Sequence, residues 1–445
     1  MRVYHGGRDV GQQARDQALA AAGARVHLVI PRHWPAAGQQ EPAAVEPTAA
    51  VSDACGIEVI EVEVSRAGDV NRHRHQETAK LAALLRHLKP DILDVHEEPV
   101  SVAMHQLLSI APAGVPVVGY TAQNLDKRFP PPFAQYERSA LARLGGLYPC
   151  SRQAASVAWG KGFRGHLQVL PLGYDATVFA AGNQRSSLAK PLLVLAGRLV
   201  PEKGIRDAVA VLAAIRRRLP ARLVLVGSGA ELDAAKSAAV AAGVGGAVTH
   251  RPWLGPTELA EVYRQAHIVL APSRSTTRWV EQFGRVVTEA QASGAVVCGY
   301  STGALPEVGG AAAVLVADGA TGEMADRIHQ ILSDQTAWTQ RSTLGLASAA
   351  TRTWPAIAQA QLAFYEEVMR QPRPGRLGAP DNASRREALY RYGPPAVAGD
   401  VPRPFAVPVL RDLGAAQVKL GQAVDAVTGA GRRTVQRLRA RVSDR

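Results

Sequence analysis

The sequence predicts an α/β protein of two doubly wound, Rossmann-like domains facing a central crevice, followed by a basic tail. Three observations carry this expectation. At 445 residues the chain exceeds what one hydrophobic core usually organises. Short β-branched runs alternate with Ala-rich helical stretches in two successive series, the pattern of parallel sheets covered on both faces. Between the series, AAGNQRSSLAK at 180–190 is polar and aperiodic, as an interdomain connection is.

In the first series a very short strand precedes Gly6, and apolar runs follow at 26–30, 57–64, 92–95, 115–120 and 167–170. Helical stretches at 12–22, 77–88, 134–144 and 152–159 separate them. The second series has strand-like runs at 192–196, 222–226, 268–271 and 295–298, with helices at 205–219, 230–242, 258–265 and 286–292. Successive helices are expected over 321–369, the last placing Ile357, Leu362, Tyr365 and Val368 near helical spacing. The expected domains are 1–185, completed by a helix near 352–370, then 186–350, then a Pro/Gly/Arg-rich linker and basic helical tail over 371–445.

Composition narrows the function classes. Aromatics make up only 5% of the chain, so the cores are expected to be Ala, Val and Leu. Three widely spaced cysteines without a CxxC pair argue against a disulfide framework or a zinc site and fit a reducing cytosol. The opening MRVYHGGRD lacks a basic-then-apolar leader, and no apolar run has the length of a bilayer span, so a cytoplasmic protein is expected. The net charge of +13 is concentrated in the tail, where 371–445 carries 14 Lys and Arg against 6 Asp and Glu. The basicity is therefore not a nucleic-acid signal for the core.

In doubly wound sheets ligands bind beyond the carboxyl ends of the strands. At the first such end in the second half, LLVLAGRLVPEKGI (192–205), Arg198 and Lys203 flank a turn with Gly204 opening a helix. Two cations beside a helix start form a site for an anionic diphosphate, though solvated loop charges are the plain alternative. In WVEQFGRVVTEAQASGAVVC (279–298), Glu281 lies in a loop and Gly284 permits close backbone approach. Amides at Phe283, Gly284, Arg285 and Val286 open a second helix start, and Glu289 on that helix can grip vicinal hydroxyls or be merely solvated.

These stretches, with VGSGAE at 226–231 and GALPEVGG at 303–310, resemble family 4 of the glycosyltransferases, which have the GT-B fold. Glu281 and Glu289 stand in that family's E-x7-E spacing, and the resemblance runs from about 191 to 316. It implies an enzyme of hexosyltransferase type that retains anomeric configuration. Its donor is a nucleotide-diphosphate sugar, and its acceptor is a glycan or lipid-linked molecule of envelope polysaccharide or glycoconjugate synthesis. In that reading Arg198 and Lys203 hold the diphosphate, Glu281 the sugar hydroxyls and Glu289 the ribose. Trp253 and Leu254 lie where nucleobase contacts fall, Trp253 being equally readable as a core residue. Gln282 and Gly294-Ala-Val depart from the family pattern without removing a charge.

The first half resembles the family less. Gly7 stands where a glycine-rich loop approaches the donor, and Glu97, Glu98, Gln123 and Asn124 are candidate sugar or acceptor contacts. Helix capping competes for Glu98 and Asn124. His73 and His75 alternate with Arg72 and Arg74, whose cations oppose a metal, so they are expected to be a solvated helix start. Without DxD, HExxH, GxSxG or a phosphate loop, no metal and no cofactor are expected. Two rivals stay open: another GT-B chemistry such as an epimerase or phosphorylase, and a non-catalytic sugar-nucleotide-binding partner subunit. The tail's basic segment, 410–442, is a candidate contact for the inner membrane face.

Overall fold

The computed structural model describes residues 1–9, 12–35, 56–182, 185–370 and 382–395. The strands of the first half are β1 (Arg2–Val3), β2 (Val26–Pro31), β3 (Ile57–Val62), β4 (Val64–Ser65), β5 (Arg74–His75), β6 (Leu93–Val95), β7 (Val117–Thr121), β8 (Gly146–Pro149) and β9 (His166–Leu167). Its helices are α1 (Ala14–Ala21), α2 (Thr78–Leu88), α3 (Val102–Ile110), α4 (Phe133–Arg143) and α5 (Arg152–Gly160). Seven strands form one parallel sheet in the order β3-β2-β1-β6-β7-β8-β9, while β4 and β5 pair apart as a small antiparallel ribbon.

The second half holds β10 (Leu192–Ala196), β11 (Arg222–Val226), β12 (Val248–Arg251), β13 (Ile268–Ala271), β14 (Val296–Tyr300) and β15 (Val314–Val316). They form a parallel sheet in the order β12-β11-β10-β13-β14-β15. Around it lie α6 (Ile205–Arg216), α7 (Leu232–Ala241), α8 (Pro256–Gln265), α9 (Arg285–Ala292), α10 (Leu305–Gly309), α11 (Thr321–Leu332) and α12 (Gln335–Ala350). Both sheets are doubly wound, with the order reversing beside β1 and beside β10.

Each sheet has an apolar core on both faces, as buried parallel strands require. Leu193, Leu195 and Leu223 point into one core of the second sheet, while Val194, Val226 and Val269 point into the other. The period-two alternation of Leu and Val along β10 thus sorts side chains between two helix layers. Helix starts are fixed locally: Ser101 Oγ accepts from Met104 N at 3.1 Å and Ser151 Oγ from Ala154 N at 3.2 Å, each an N-cap bond.

After α12 the chain returns to the first half. Tyr174, on the way out, and Thr353, on the way back, form a parallel bridge. Tyr174 N donates to Arg352 O and Trp354 N to Tyr174 O, both at 3.1 Å. Then α13 (Trp354–Arg370) packs Phe364, Tyr365 and Val368 against Leu28 and Tyr148 of the first sheet. A buried polar network reinforces this seat. Asp94 accepts from Arg2 Nε at 2.8 Å, from Gln361 Nε2 at 3.1 Å and from the hydroxyls of Tyr148 and Tyr365. Every donor converges on one carboxylate, so β1, β6, β8 and α13 share a single buried charge.

The linker expected after residue 370 contains a helix, α14 (Asn382–Tyr392). NASRREALYRY has neither proline nor glycine, so its local propensity is helical despite the proline-rich flanks. It docks on α5, where the Arg391 guanidinium lies 4.9 Å from the Trp159 ring and Arg164 Nη2 donates to Ser384 Oγ at 2.5 Å. The basic segment at 410–442 lies outside the described residues. Among the described residues, no helix is long and apolar enough to cross a membrane.

Candidate active site at the carboxyl strand ends

The loops after β10 and β13 carry a polar cluster of Lys203, Ser273 and Glu281. Beyond β10, Arg198 stands exposed in the turn and Lys203 ends a short 3-10 turn, Pro201–Lys203. Gly204 then takes φ +66°, and a Cβ there would meet Pro272 O at 2.1 Å. Only glycine lets α6 begin this close to the β13 loop. From the other side Glu281 presents Oε2 to Lys203 Nζ at 2.5 Å and to Ser273 Oγ at 2.8 Å. The Lys203 ammonium also lies 5.2 Å from the Trp279 ring.

The Glu281 backbone is as strongly held as its side chain. Its carbonyl accepts from Ala304 N and from Asn124 Nδ2 of the first half, each at 2.9 Å. Gln282 Nε2 donates back across the same boundary to Ala122 O at 3.2 Å, and the Cys150 thiol faces Gln282 O at 3.8 Å. A further bridge joins the halves: Glu307 accepts from Arg152 N, the first amide of α5, at 2.8 and 3.0 Å. The Glu281 loop is therefore anchored by both halves.

Gly284, at φ +87°, turns the chain into α9, so the first amides of α9 open on the same region as Lys203 and Glu281. Arg285 is partly exposed there and its Nη2 lies 3.3 Å from Glu289 Oε1. Glu289 is buried, and burial holds its carboxyl above the ordinary range, with the Arg285 charge opposing that rise. The solvated alternative for Glu289 is thus corrected, because α9 turns that face inward. Val286 is partly buried, while Phe283 and Leu254 belong to the core, leaving only their backbones to face a ligand. Trp253, following edge strand β12, is 56% exposed, so its reading as a core tryptophan is also corrected.

The first-half candidates separate by environment. Gly7 sits in a 3-10 turn, His5–Arg8, and its carbonyl accepts from Gln13 Nε2 at 2.7 Å. Gln123 folds onto its own loop, donating to Leu125 O at 2.6 Å. Glu98 is no helix cap: it accepts from Thr121 Oγ1 and Ala122 N, both at 2.7 Å, tying the end of β6 to the end of β7. Asn124 is no cap either, since its amide spans to Glu281.

Glu97 turns to His5, accepting from the His5 backbone N at 2.9 Å and meeting His5 Nδ1 at 2.7 Å. Burial disfavours the His5 imidazolium, but the Glu97 charge and hydrogen bond outweigh it and raise the His5 pKa. Burial likewise opposes ionisation of Glu97, and His5 more than compensates, lowering the carboxyl pKa. His73 and His75 are buried beside this pair and are not a solvated helix start. The alternation of β5 sends His75 inward while Arg74 stays outside.

Several contributors escaped sequence reasoning. Ser273, two residues past β13, orients Glu281, and the strand-end rule alone points to it. His5 and Glu307 had no local signal, because their partners lie 92 and 155 residues away.

Comparison with known proteins defines the fold. The fold is GT-B: the chain superposes on sucrose-phosphate synthase from Thermosynechococcus elongatus with a TM-score of 0.64 at 18% identity, covering 83% of this chain and 98% of that one. HepE from Anabaena, solved with UDP and glucose, gives 0.63 at 16% identity, covering 82% and 98%. Residues 181–346 match the sequence family described as Glycosyl transferases group 1. Among curated relatives, the D-inositol 3-phosphate glycosyltransferase of Nocardia farcinica is 30% identical over 250 residues, 51% of this chain and 54% of that protein. That of Arthrobacter sp. is 35% identical over 173 residues, 36% and 38% of the two chains. The chain thus spans about half the length, or less, of these relatives.

Proposed function

We propose that this protein is a retaining glycosyltransferase of family 4, moving a hexosyl group from a nucleotide-diphosphate sugar to a glycan or lipid-linked acceptor in envelope polysaccharide or glycoconjugate synthesis. The observation that carries this reading is the Lys203–Glu281–Ser273 cluster beside the start of α9, with exposed Arg198 in the adjoining turn. A diphosphate entering there exchanges the Lys203–Glu281 contact for one between Lys203 and phosphate. The Glu281 carboxylate is then released toward sugar hydroxyls while Ser273 keeps it oriented.

Fixed cations and helix-start amides stabilise charge on the leaving diphosphate, which is often the largest catalytic contribution. Retention by a front-face route lets the leaving phosphate take the acceptor proton, so no separate protein base is assigned. Neither a cofactor nor a diphosphate-bound metal is assigned. Glu289 and Arg285 hold the ribose end, and exposed Trp253 offers a stacking face to the base. The enzyme acts in the cytoplasm, with peripheral contact at the inner membrane face through the tail.

A thermal-shift screen of nucleotides and nucleotide sugars tests donor binding, since a bound ligand raises stability by mass action. UDP and UDP-glucose come first, because HepE structures contain them. Arg198→Ala or Lys203→Ala is expected to keep the fold and to cost at least about 2–3 kcal/mol of transition-state stabilisation. Wild-type turnover in either variant would remove the diphosphate assignment. Nucleotide binding without transfer would favour a partner subunit instead.

A further inference from the structure

The first half holds a second cluster, apart from that of Lys203, Ser273 and Glu281. His5 follows β1, Glu97 follows β6, and His73 precedes β5, yet their ligating atoms lie within 4.8 Å of one another. We propose that His5, His73 and Glu97 bind one divalent transition-metal ion of the zinc class, through His5 Nδ1, His73 Nε2 and the Glu97 carboxylate. This set, two imidazoles and one carboxylate, is that of open zinc sites in which water or substrate completes the coordination. The proposal stands independently of the donor reading.

The geometry supports ligand roles for His73 and Glu97 directly, and at His5 the ion takes the place of the proton that Nδ1 shares with Glu97 at 2.7 Å. His73 Nδ1 lies 3.2 Å from the Asp69 carbonyl, which accepts only, so Nδ1 carries the hydrogen. In the neutral ring Nε2 then carries the lone pair, and it faces Glu97 Oε1 at 3.8 Å. Two lone-pair groups face the same buried space, with both side chains 1% exposed. A cation between them converts that repulsion into attraction. The Asp69 carbonyl fixes the tautomer and ring orientation, as partners of metal-bound histidines commonly do. The His5 backbone amide similarly pins Glu97, at 2.9 Å.

The surroundings also suit an ion. Trp34 covers the cluster, its ring 4.6 Å from His5 and 5.1 Å from His73, giving a dry wall that strengthens coordination. Arg72 and Arg74 do not oppose the ion as the sequence implies. Both are exposed, with Arg72 near Asp69 and 5.6 Å from the Phe133 ring, on the far side of the ribbon.

The test uses the full chain, stripped with chelator and titrated calorimetrically with Zn²⁺, and with Co²⁺ followed by visible absorption. One equivalent of Zn²⁺ should bind, Co²⁺ should develop the intense bands of a low-coordinate site, and excess Mg²⁺ should displace neither. His73→Gln and Glu97→Gln should each lower affinity by more than about a hundredfold, beyond the roughly 10–100-fold that losing a supporting partner costs. Thermal melts should show both variants folded, with the Zn²⁺-induced rise in midpoint confined to wild type. UDP-induced stabilisation should persist in EDTA, which separates this site from the donor site. No stoichiometric uptake by wild type, undiminished uptake in both folded variants, or displacement by Mg²⁺ would overturn the proposal.

Discussion

Glu281 and Glu289 are eight residues apart, yet their surroundings assign them different work. Glu281 is gripped by Lys203 and Ser273 at the open end of the strands, where a reacting sugar would lie. Glu289 is buried on α9 with Arg285 as its charged partner. Glu281→Ala should therefore depress kcat most, whereas Glu289→Ala should chiefly weaken nucleotide affinity, measured by calorimetry with free UDP. Unchanged affinity in Glu289→Ala would end its ribose role. Glu289 also predicts a pH effect. Its folded pKa is raised above the ordinary 4.5, so the native state binds the proton more tightly than the unfolded chain. Wild type thus loses stability as pH rises from 4.5 through the folded pKa, and the full penalty persists above it. Glu289→Gln should raise Tm at neutral pH, and the gain should vanish as pH falls to 4.5 and below. An unchanged Tm difference across that range would contradict the burial argument.

At the scale of elements, the Asp94 carboxylate at the centre of the first sheet gathers Arg2, Gln361, Tyr148 and Tyr365. Asp94→Ala leaves Arg2 with only Asp16 and takes the carboxylate acceptor from Gln361 and from the Tyr148 and Tyr365 hydroxyls. A loss of roughly 3–5 kcal/mol is expected from urea unfolding, the scale of breaking a buried ion pair from one side. A loss below about 1 kcal/mol would show the network to be dispensable. What the sequence disclosed follows the same division between local and distant partners. Strands β10, β11 and β13 fall where their runs of Leu and Val predict, because a buried parallel strand is a continuous apolar word. Strand β8 was not legible: Gly-Leu-Tyr-Pro has neither β-branching nor alternation, and only tertiary contact makes it a strand. The residues proposed for the donor stood out because they sit in two short segments with glycine punctuation. His5 did not, since nothing local marks a side chain whose partner lies 92 residues away; Ser273 carries no motif of its own, and Asn124 stood out as a sugar contact rather than as the anchor of the Glu281 carbonyl.

For the molecule as a whole, the described residues fall within one compact unit that ends before residue 401. A truncation that tests the tail must spare α14, whose contacts with α5 belong to that unit. Removing 401–445 should leave UDP-induced stabilisation intact and reduce co-sedimentation with anionic liposomes, each lost cation near the surface weakening attraction by about 1 kcal/mol. Equal sedimentation of both forms at low and moderate salt would end the membrane assignment. The backbone bridge between Tyr174 and Thr353 has a mechanical consequence. The chain passes between the halves twice, and the two passages are bonded side by side rather than left as independent tethers. Two passages bonded side by side would oppose shear and twist between the halves more than bending about the strap. Opening and closing about it would swing Asn124 and Gln282 apart and together like the jaws of a clasp. Each closure then returns the Glu281 loop to the same register.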